Sequence, residues 1–260
     1  DYAIFAVIEY DLHKIENHYL TLLQRLTLPG DEPPPIISLN YDIIVDNTLL
    51  LLAERQNRFG FPDYGCDIAT ESYRQPPKFG KIYKLHGSMN WLYCPACQRL
   101  DIGTSRSGRG TVKVLDMIYA EEQHAGGDLQ ERYGCHGSPC RDCRAYVSAV
   151  MISPTHLKDY RNPHISQVWY LAERALRQAE RAIIAGYSMP WDDVDVIYLL
   201  KRGLGELPAG AITVVEYDPQ NRPARQHPVG NNYCKVFGEA IDWHTEGFES
   251  FVKSYQPGRL

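Results

Sequence analysis

Two short segments of identical spacing, Cys94-x2-Cys97 and Cys140-x2-Cys143, constrain this chain more than any other feature. A Cys-x2-Cys turn presents two thiolates on one side of a hairpin, and two such turns supply the four sulfurs of a closed, tetrahedral zinc site with no position open for chemistry. The spacing predicts a small zinc-ribbon insert over residues 94–143, with Cys94, Cys97, Cys140 and Cys143 as ligands of a structural zinc. Cys135 is a spare ligand that could replace Cys140, whereas Cys66 and Cys234 read as small buried residues. Seven cysteines in 260 residues are too few for a disulfide scaffold. Their pairing therefore predicts a metal in a reducing compartment, and a cytoplasmic protein.

Charge and hydropathy remove other classes. The chain has 27 basic and 32 acidic residues, a formal charge of -5, so nothing draws it globally to phosphate backbones or anionic lipid, and no direct nucleic-acid binding is expected. The longest apolar candidate for a span, residues 49–53, is flanked by Asp46 and Glu54 and is far shorter than the roughly 20 residues a bilayer requires, so no membrane association is expected. The first residue is Asp1, with no signal-like segment after it, and we expect further chain upstream.

Outside the cysteine-rich stretch, strand and helix patterns alternate. Ile4, Ile8, Leu12, Ile15, Tyr19, Leu22 and Leu26 form one stripe at steps of three and four, a packing helix that ends before Pro29-Gly30. A short strand at 36–39 runs into Asn40-Tyr41-Asp42 and then a helix over 43–55. Residues 57–80 read as a long surface connection and 81–85 as a strand ending at His86-Gly87-Ser88. Further on come a strand over 147–152, a helix over 166–179, a strand over 181–185 with the turn Gly186-Tyr187-Ser188, a helix over 192–204, and a strand over 211–215. The last strand ends in Glu216-Tyr217-Asp218-Pro219. The alternation predicts an α/β fold, a Rossmann-like and mostly parallel sheet with helices on both faces. Residues 1–93 and 144–260 would form it, around the insert.

Open α/β sheets bind ligands at the carboxyl ends of their strands. Asn40, Asp42, His86, Gly186, Ser188 and Asp218 occupy such ends and are the candidate site residues. Each has a plainer reading. His86 can be a hydrogen-bonded strand-end histidine, Asn40 a turn residue, Gly186-x-Ser188 a simple turn, and Asp218 a turn former before Pro219 with Glu216 as a nearby competitor.

Taken in order, Ser38-Leu39-Asn40-Tyr41-Asp42, Leu85-His86-Gly87-Ser88, the pair Cys94 and Cys97, Gly186-Tyr187-Ser188 with Pro190 and Asp195, and Val214-Val215-Glu216-Tyr217-Asp218-Pro219 resemble the sirtuin family, specifically its divergent sirtuin-like branch. The resemblance spans about residues 36–242. It implies NAD as co-substrate, Asn40 and Asp42 on the nicotinamide-side ribose, and His86 as general base. It also implies Gly186 and Ser188 beside a phosphate or ribose, and Asp218 on the adenosine ribose. Breaking an N-glycosidic bond to a cationic pyridinium needs a site that stabilises an oxocarbenium-like sugar, orients a nucleophile and takes a proton near neutral pH, which suits an Asn, an Asp and a His.

Two departures refine the expectation. The family's Gly-Ala-Gly-x-Ser turn, which cradles the pyrophosphate, does not occur in these residues and is expected upstream. The peptide-pairing segment of protein-deacylating members is not recognisable in residues 150–158. Water then becomes the preferred nucleophile, and the resemblance implies an NAD+ glycohydrolase of a bacterial anti-phage defence system, controlled by homo-oligomerisation or a partner. The alternatives are an NAD-dependent protein deacylase, a non-catalytic NAD or ADP-ribose sensor, and a zinc-ribbon interaction module on a generic α/β scaffold.

Overall fold

The structure is a computed structural model of the chain and describes residues 18–68, 77–102, 140, 142–152 and 162–256. Residues 4–15 of the predicted first stripe, and Cys135, lie outside the described residues. The chain divides into two compact units, Asp1–Trp169 and Tyr170–Leu260.

In the first unit, helix α1 (His18–Leu26) buries Leu20, Leu22 and Leu23 and packs against helix α2 (Ile44–Arg55). Strand β1 (Ile36–Ser38) pairs in parallel with β3 (Lys78–Lys84), which takes the short strand β2 (Phe61–Asp63) on its other side, also in parallel. As the central strand, β3 is buried on both faces, with Phe79 and Ile82 in the core beside Leu49, Leu52 and Ala53 of α2. Segment 57–80, read as a surface connection, in fact contains β2 and the buried Tyr64 and Cys66. Three residues with a central proline carry no period to read. Pro62 is tolerated because, among the described residues, β2 is an edge strand.

A second, antiparallel sheet follows directly. Strand β4 (Gly87–Tyr93) lies between β5 (Leu100–Ile102) and β6 (Ser148–Met151), with Trp91 opposite Ile102 and Gly87 opposite Met151. Residues 81–85 read as a strand ending at His86-Gly87-Ser88, with no strand foreseen beyond it; the reversal into β4 is made possible by Gly87. Its φ is +86°, and a Cβ there would lie 2.0 Å from the Val150 carbonyl oxygen. The glycine lets β6 approach closely enough for the Ile152 amide to donate to the His86 carbonyl at 2.9 Å.

Helix α3 (Pro163–Arg177) contains the division between the units. The second unit holds a parallel sheet in the order β7 (Ala182–Ala185), β8 (Ile212–Val215), β9 (Asp242–His244). Helix α4 (Val194–Leu204) connects the first two strands, helix α5 (Pro228–Phe237) the second and third, and helix α6 (Gly247–Ser254) closes the chain against β8. Every residue of β8 is buried, as a middle strand requires. Strands and helices from 181 to 215 agree with their predicted positions to within two residues. The protein is thus an α/β fold with predominantly parallel pairing and six helices among the described residues. None of these helices is long and apolar enough to cross a membrane.

Two of the left-handed glycines, Gly186 and Gly87, separate two kinds of cost. Gly186 has φ +69° but nothing within 4 Å of a built Cβ. Gly186→Ala should therefore cost only the backbone term, about 1–2 kcal/mol. Gly87→Ala adds a collision with Val150 and should cost about 1–2 kcal/mol more than that. Urea denaturation midpoints of the two variants check the order, and equal midpoints would contradict the steric account.

Candidate active site and metal centre

Strand β3 ends at Lys84, and the turn residues Leu85 and His86 follow it directly. Both polar groups reach the loop that leaves β1. The His86 ring Nδ1 lies 3.2 Å from the Leu39 carbonyl oxygen. A carbonyl only accepts, so Nδ1 carries the proton, and in a neutral ring Nε2 holds the lone pair. His86 is buried, flanked by the rings of Tyr41 and Trp169, each with its centroid 6.4 Å away. The Trp169 indole donates to the Leu85 carbonyl at 2.8 Å.

Lys84 is fully buried, and its Nζ donates to the Asp42 carbonyl and pairs with the equally buried Asp46 carboxylate at 3.2 Å. Tyr64 donates its hydroxyl to the other Asp46 oxygen at 2.7 Å. Burial, then the adjoining Asp46 carboxylate, push the Tyr64 phenol well above its ordinary value, so it remains a donor. The turn itself is pinned elsewhere too. The Tyr41 hydroxyl donates to the Ile152 carbonyl, and Asp42 Oδ1 accepts the Ile44 amide at 3.0 Å at the entry to α2. Asn40 is exposed, and its amide lies 3.3 Å from Ser38 Oγ. Asn40, Asp42 and His86 thus belong to one hydrogen-bonded assembly in the first unit. Asp42 also serves as a helix-entry residue. Lys84, Asp46 and Tyr64 were not foreseen; the one available signal was a lysine set between Tyr83 and Leu85.

The four predicted cysteine ligands do converge. Their sulfurs all lie within 4.8 Å of one another, with Cys94 and Cys143 at 3.4 Å and Cys97 and Cys140 at 3.6 Å. A disulfide needs about 2.05 Å. Four sulfurs at zinc–thiolate bond lengths of about 2.3 Å around a tetrahedron stand about 3.8 Å apart, close to what is seen. The two turns are copies of one design. Cys94 and Cys140 each donate their amide to the carbonyl five residues on, at 2.8 and 2.6 Å, and each accepts at its carbonyl the amide four residues on, at 2.8 and 3.0 Å. Gln98 and Arg144, each next after the second cysteine of its pair, take the same left-handed φ, 61° and 65°. The Cys97 amide aimed at the Cys94 sulfur lowers its thiol to about 7, whereas desolvation and the neighbouring sulfurs push Cys97 up to about 12. Arg99 ties the turns together through Asp101 at 2.8 Å and Asp142 at 2.6 Å. The residues fit a structural zinc, with Cys140 completing the set among the described residues.

In the second unit, Gly186 and Ser188 follow β7 and both are exposed. The turn is held from α5, where Tyr233 donates to the Tyr187 carbonyl at 2.7 Å and the Asn232 amide to the Ser188 and Met189 carbonyls at 3.3 and 3.2 Å. Asp218 is 1% exposed. Its carboxylate accepts two hydrogen bonds from the Arg222 guanidinium, at 2.9 and 3.1 Å, and two from the amides of Gln220 and Arg222, at 3.1 and 2.9 Å. The Arg222 side chain was the second group not foreseen.

Solved Sir2 structures are distantly similar to this chain. One on the mechanism and regulation of Sir2 enzymes matches with a TM-score of 0.37 at 14% identity, covering 86% of this chain and 68% of that one. One on sirtuin substrate affinity matches with a TM-score of 0.43 at 11% identity, covering 92% and 69%. A complex of a Sir2 homolog with NAD matches with a TM-score of 0.39 at 14% identity, covering 91% and 62%. No family model and no curated protein matches the chain.

Two outcomes follow from this geometry. The purified protein should carry about one zinc per chain by plasma mass spectrometry, and Cys94→Ser should abolish it; full metal content in that variant would rule the cluster out. The Arg222 guanidinium, helped by the loop amides, holds the Asp218 carboxyl far below the usual carboxylate range. A depressed native value means that the stabilisation is present above the unfolded value of about 3.9 and is lost only as pH falls through the native one. The Asp218 carboxyl should therefore stay ionised at pH 3 in a carbon NMR titration, and should take up its proton at higher pH once Arg222→Ala is made.

Proposed function

We propose that this chain cleaves NAD+ at its nicotinamide–ribose bond, with water as the acceptor, to give nicotinamide and ADP-ribose. The observation that carries the reading is the fixed tautomer of His86, which leaves Nε2 as a proton acceptor beside the Asn40–Asp42 turn. In this reaction the C1′–N bond breaks with its electron pair leaving on nicotinamide, a water oxygen bonds C1′, and the water's proton passes to His86 Nε2. Asn40 and Asp42 orient the ribose and the water. On the second unit, the exposed Gly186–Ser188 turn, whose glycine leaves the backbone open, is assigned to phosphate or ribose contact. The Asp218 loop is assigned to the adenosine ribose.

The sirtuin-like motif order supports NAD as the co-substrate and a bacterial defence setting, and the regulation proposed with it is homo-oligomerisation or a partner chain, since unchecked NAD loss is toxic. The four-cysteine cluster favours one second reading, NAD-dependent protein deacylation, which keeps the same NAD bond cleavage but uses an acyl-lysine oxygen as acceptor.

The test is nicotinamide release from NAD+ by the full-length protein, with and without an acetyl-lysine peptide. Peptide-independent release that falls by roughly 10²- to 10⁴-fold in His86→Ala, and falls with it in Asn40→Ala, is the expected result. Release that requires the peptide would turn the assignment to deacylation, and nucleotide binding without release would turn it to a sensor.

A further inference from the structure

We propose that Lys84 is a positioning residue: its buried ammonium holds the Asp42 end of the Asn40–Tyr41–Asp42 turn while His86, two residues further on, holds the Leu39 end. The role in turnover rests on the NAD-cleavage reading above; the role in shaping the turn does not.

The argument starts from what the lysine costs. Lys84 and Asp46 are both fully buried and 3.2 Å apart. Pairs of this kind are often no more stable than apolar side chains of the same volume, because desolvation of two ions consumes the Coulombic gain. Stability alone is therefore a poor account of an ammonium buried between Ile82-Tyr83 and Leu85, where the strand's other lysines, Lys78 and Lys81, are exposed. What an apolar side chain cannot supply is the hydrogen bond to the Asp42 carbonyl. That bond fixes the peptide plane between Asp42 and Ile43, and the Asp42 carboxylate is set on the following turn of backbone by the Ile44 amide at 3.0 Å. Two residues beyond Lys84, in the turn that follows β3, His86 Nδ1 meets the Leu39 carbonyl at 3.2 Å. The end of β3 and the turn after it thus grip both ends of the Asn40–Asp42 segment, through carbonyls three residues apart. Asp46 supplies the counter-charge that permits the lysine to be buried, and Tyr64 occupies that carboxylate's second oxygen at 2.7 Å. A turn gripped in this way presents Asn40 and Asp42 in a fixed relation to His86, which is the relation the proposed reaction needs.

The test replaces the ion pair as a pair. Lys84→Met/Asp46→Leu in the full-length protein removes both charges together and leaves no buried ion uncompensated; if it does not fold, Lys84→Gln/Asp46→Asn keeps a neutral polar pair in the same space. Two quantities are read: amide hydrogen exchange of the peptide covering residues 39–44, and kcat and KM for NAD+ per folded molecule. The expected result is exchange at least tenfold faster in that peptide alone, kcat lower by at least tenfold, and KM within threefold of the parent. Tyr64→Phe, which cuts a bond of the same network without touching the turn, is the comparator and should lower thermal stability while leaving kcat within threefold. Unchanged exchange overturns the grip, and faster exchange with unchanged kcat overturns its role in turnover. If the parent protein releases no nicotinamide, the NAD reading fails by itself, and the exchange measurement alone still decides whether Lys84 holds the turn.

Discussion

An ammonium taken entirely out of water must meet a compensating charge and satisfied hydrogen bonds, and the first unit is arranged around meeting that demand for Lys84. The central strand β3 carries the lysine, helix α2 brings Asp46 in its first turn, the segment after β2 brings Tyr64, and the loop leaving β1 brings the Asp42 carbonyl. Each partner comes from a different element, so the ion's requirements fix how these elements meet. The removal of one partner would leave a buried charge uncompensated, a penalty of about 3–5 kcal/mol. The site side chains are held by what holds the fold.

The antiparallel sheet extends this arrangement by other means. Gly87 turns the chain from β3 directly into β4, and the close approach of Val150 at that glycine draws β6 in, so that Ile152 binds the His86 and Tyr41 groups from its backbone. The far end of the same sheet is closed by the cysteine cluster, with Cys94 following β4 and Cys140 and Cys143 preceding β6. A four-thiolate zinc there would cross-link the two strands whose other ends carry the Gly87–Met151 pairing beside His86. Zinc held by Cys94, Cys97, Cys140 and Cys143 would serve mechanically, tying the end of β4 to the start of β6, and a closed four-thiolate shell would leave no position for chemistry.

What was legible in the residues, and what was not, follows from range. Features written in neighbouring residues were readable: the alternation of strand and helix, the polar ends of β1 and β3, the Gly186 turn, and above all the two Cys-x2-Cys pairs, whose identical spacing reflects identical local hydrogen bonding. The buried state of Cys66 was readable from residue type alone. The reversal at Gly87 was missed because an antiparallel partner 64 residues away, Met151, leaves no local mark until the glycine's φ is known. The Lys84–Asp46 pair, 38 residues apart, is of the same kind. Strand β2 was missed for the opposite reason, being too short to show a period. Among the site residues, burial and partners decide between readings that residue type leaves open, and only the fold provides them.

Asp218 shows how much turns on that last step. An acid at the end of a buried parallel strand has the placement of a ribose acceptor, and an acid followed by Pro219 has the composition of a turn former. Four donors already surround this carboxylate, two from the Arg222 side chain and two from loop amides, so its acceptor capacity is spent within the loop. It can bear on a nucleotide by shaping the backbone from 216 to 222, and through Arg222, whose side chain remains partly exposed while it bonds Asp218. Glu216 differs. One oxygen accepts the Tyr217 amide at 2.9 Å, and the side chain is only half-buried, so a second oxygen has lone pairs to offer a hydroxyl. Within this loop Asp218 and Arg222 form the staple that holds the backbone to 222, and Glu216 stands beside it as the half-buried carboxylate.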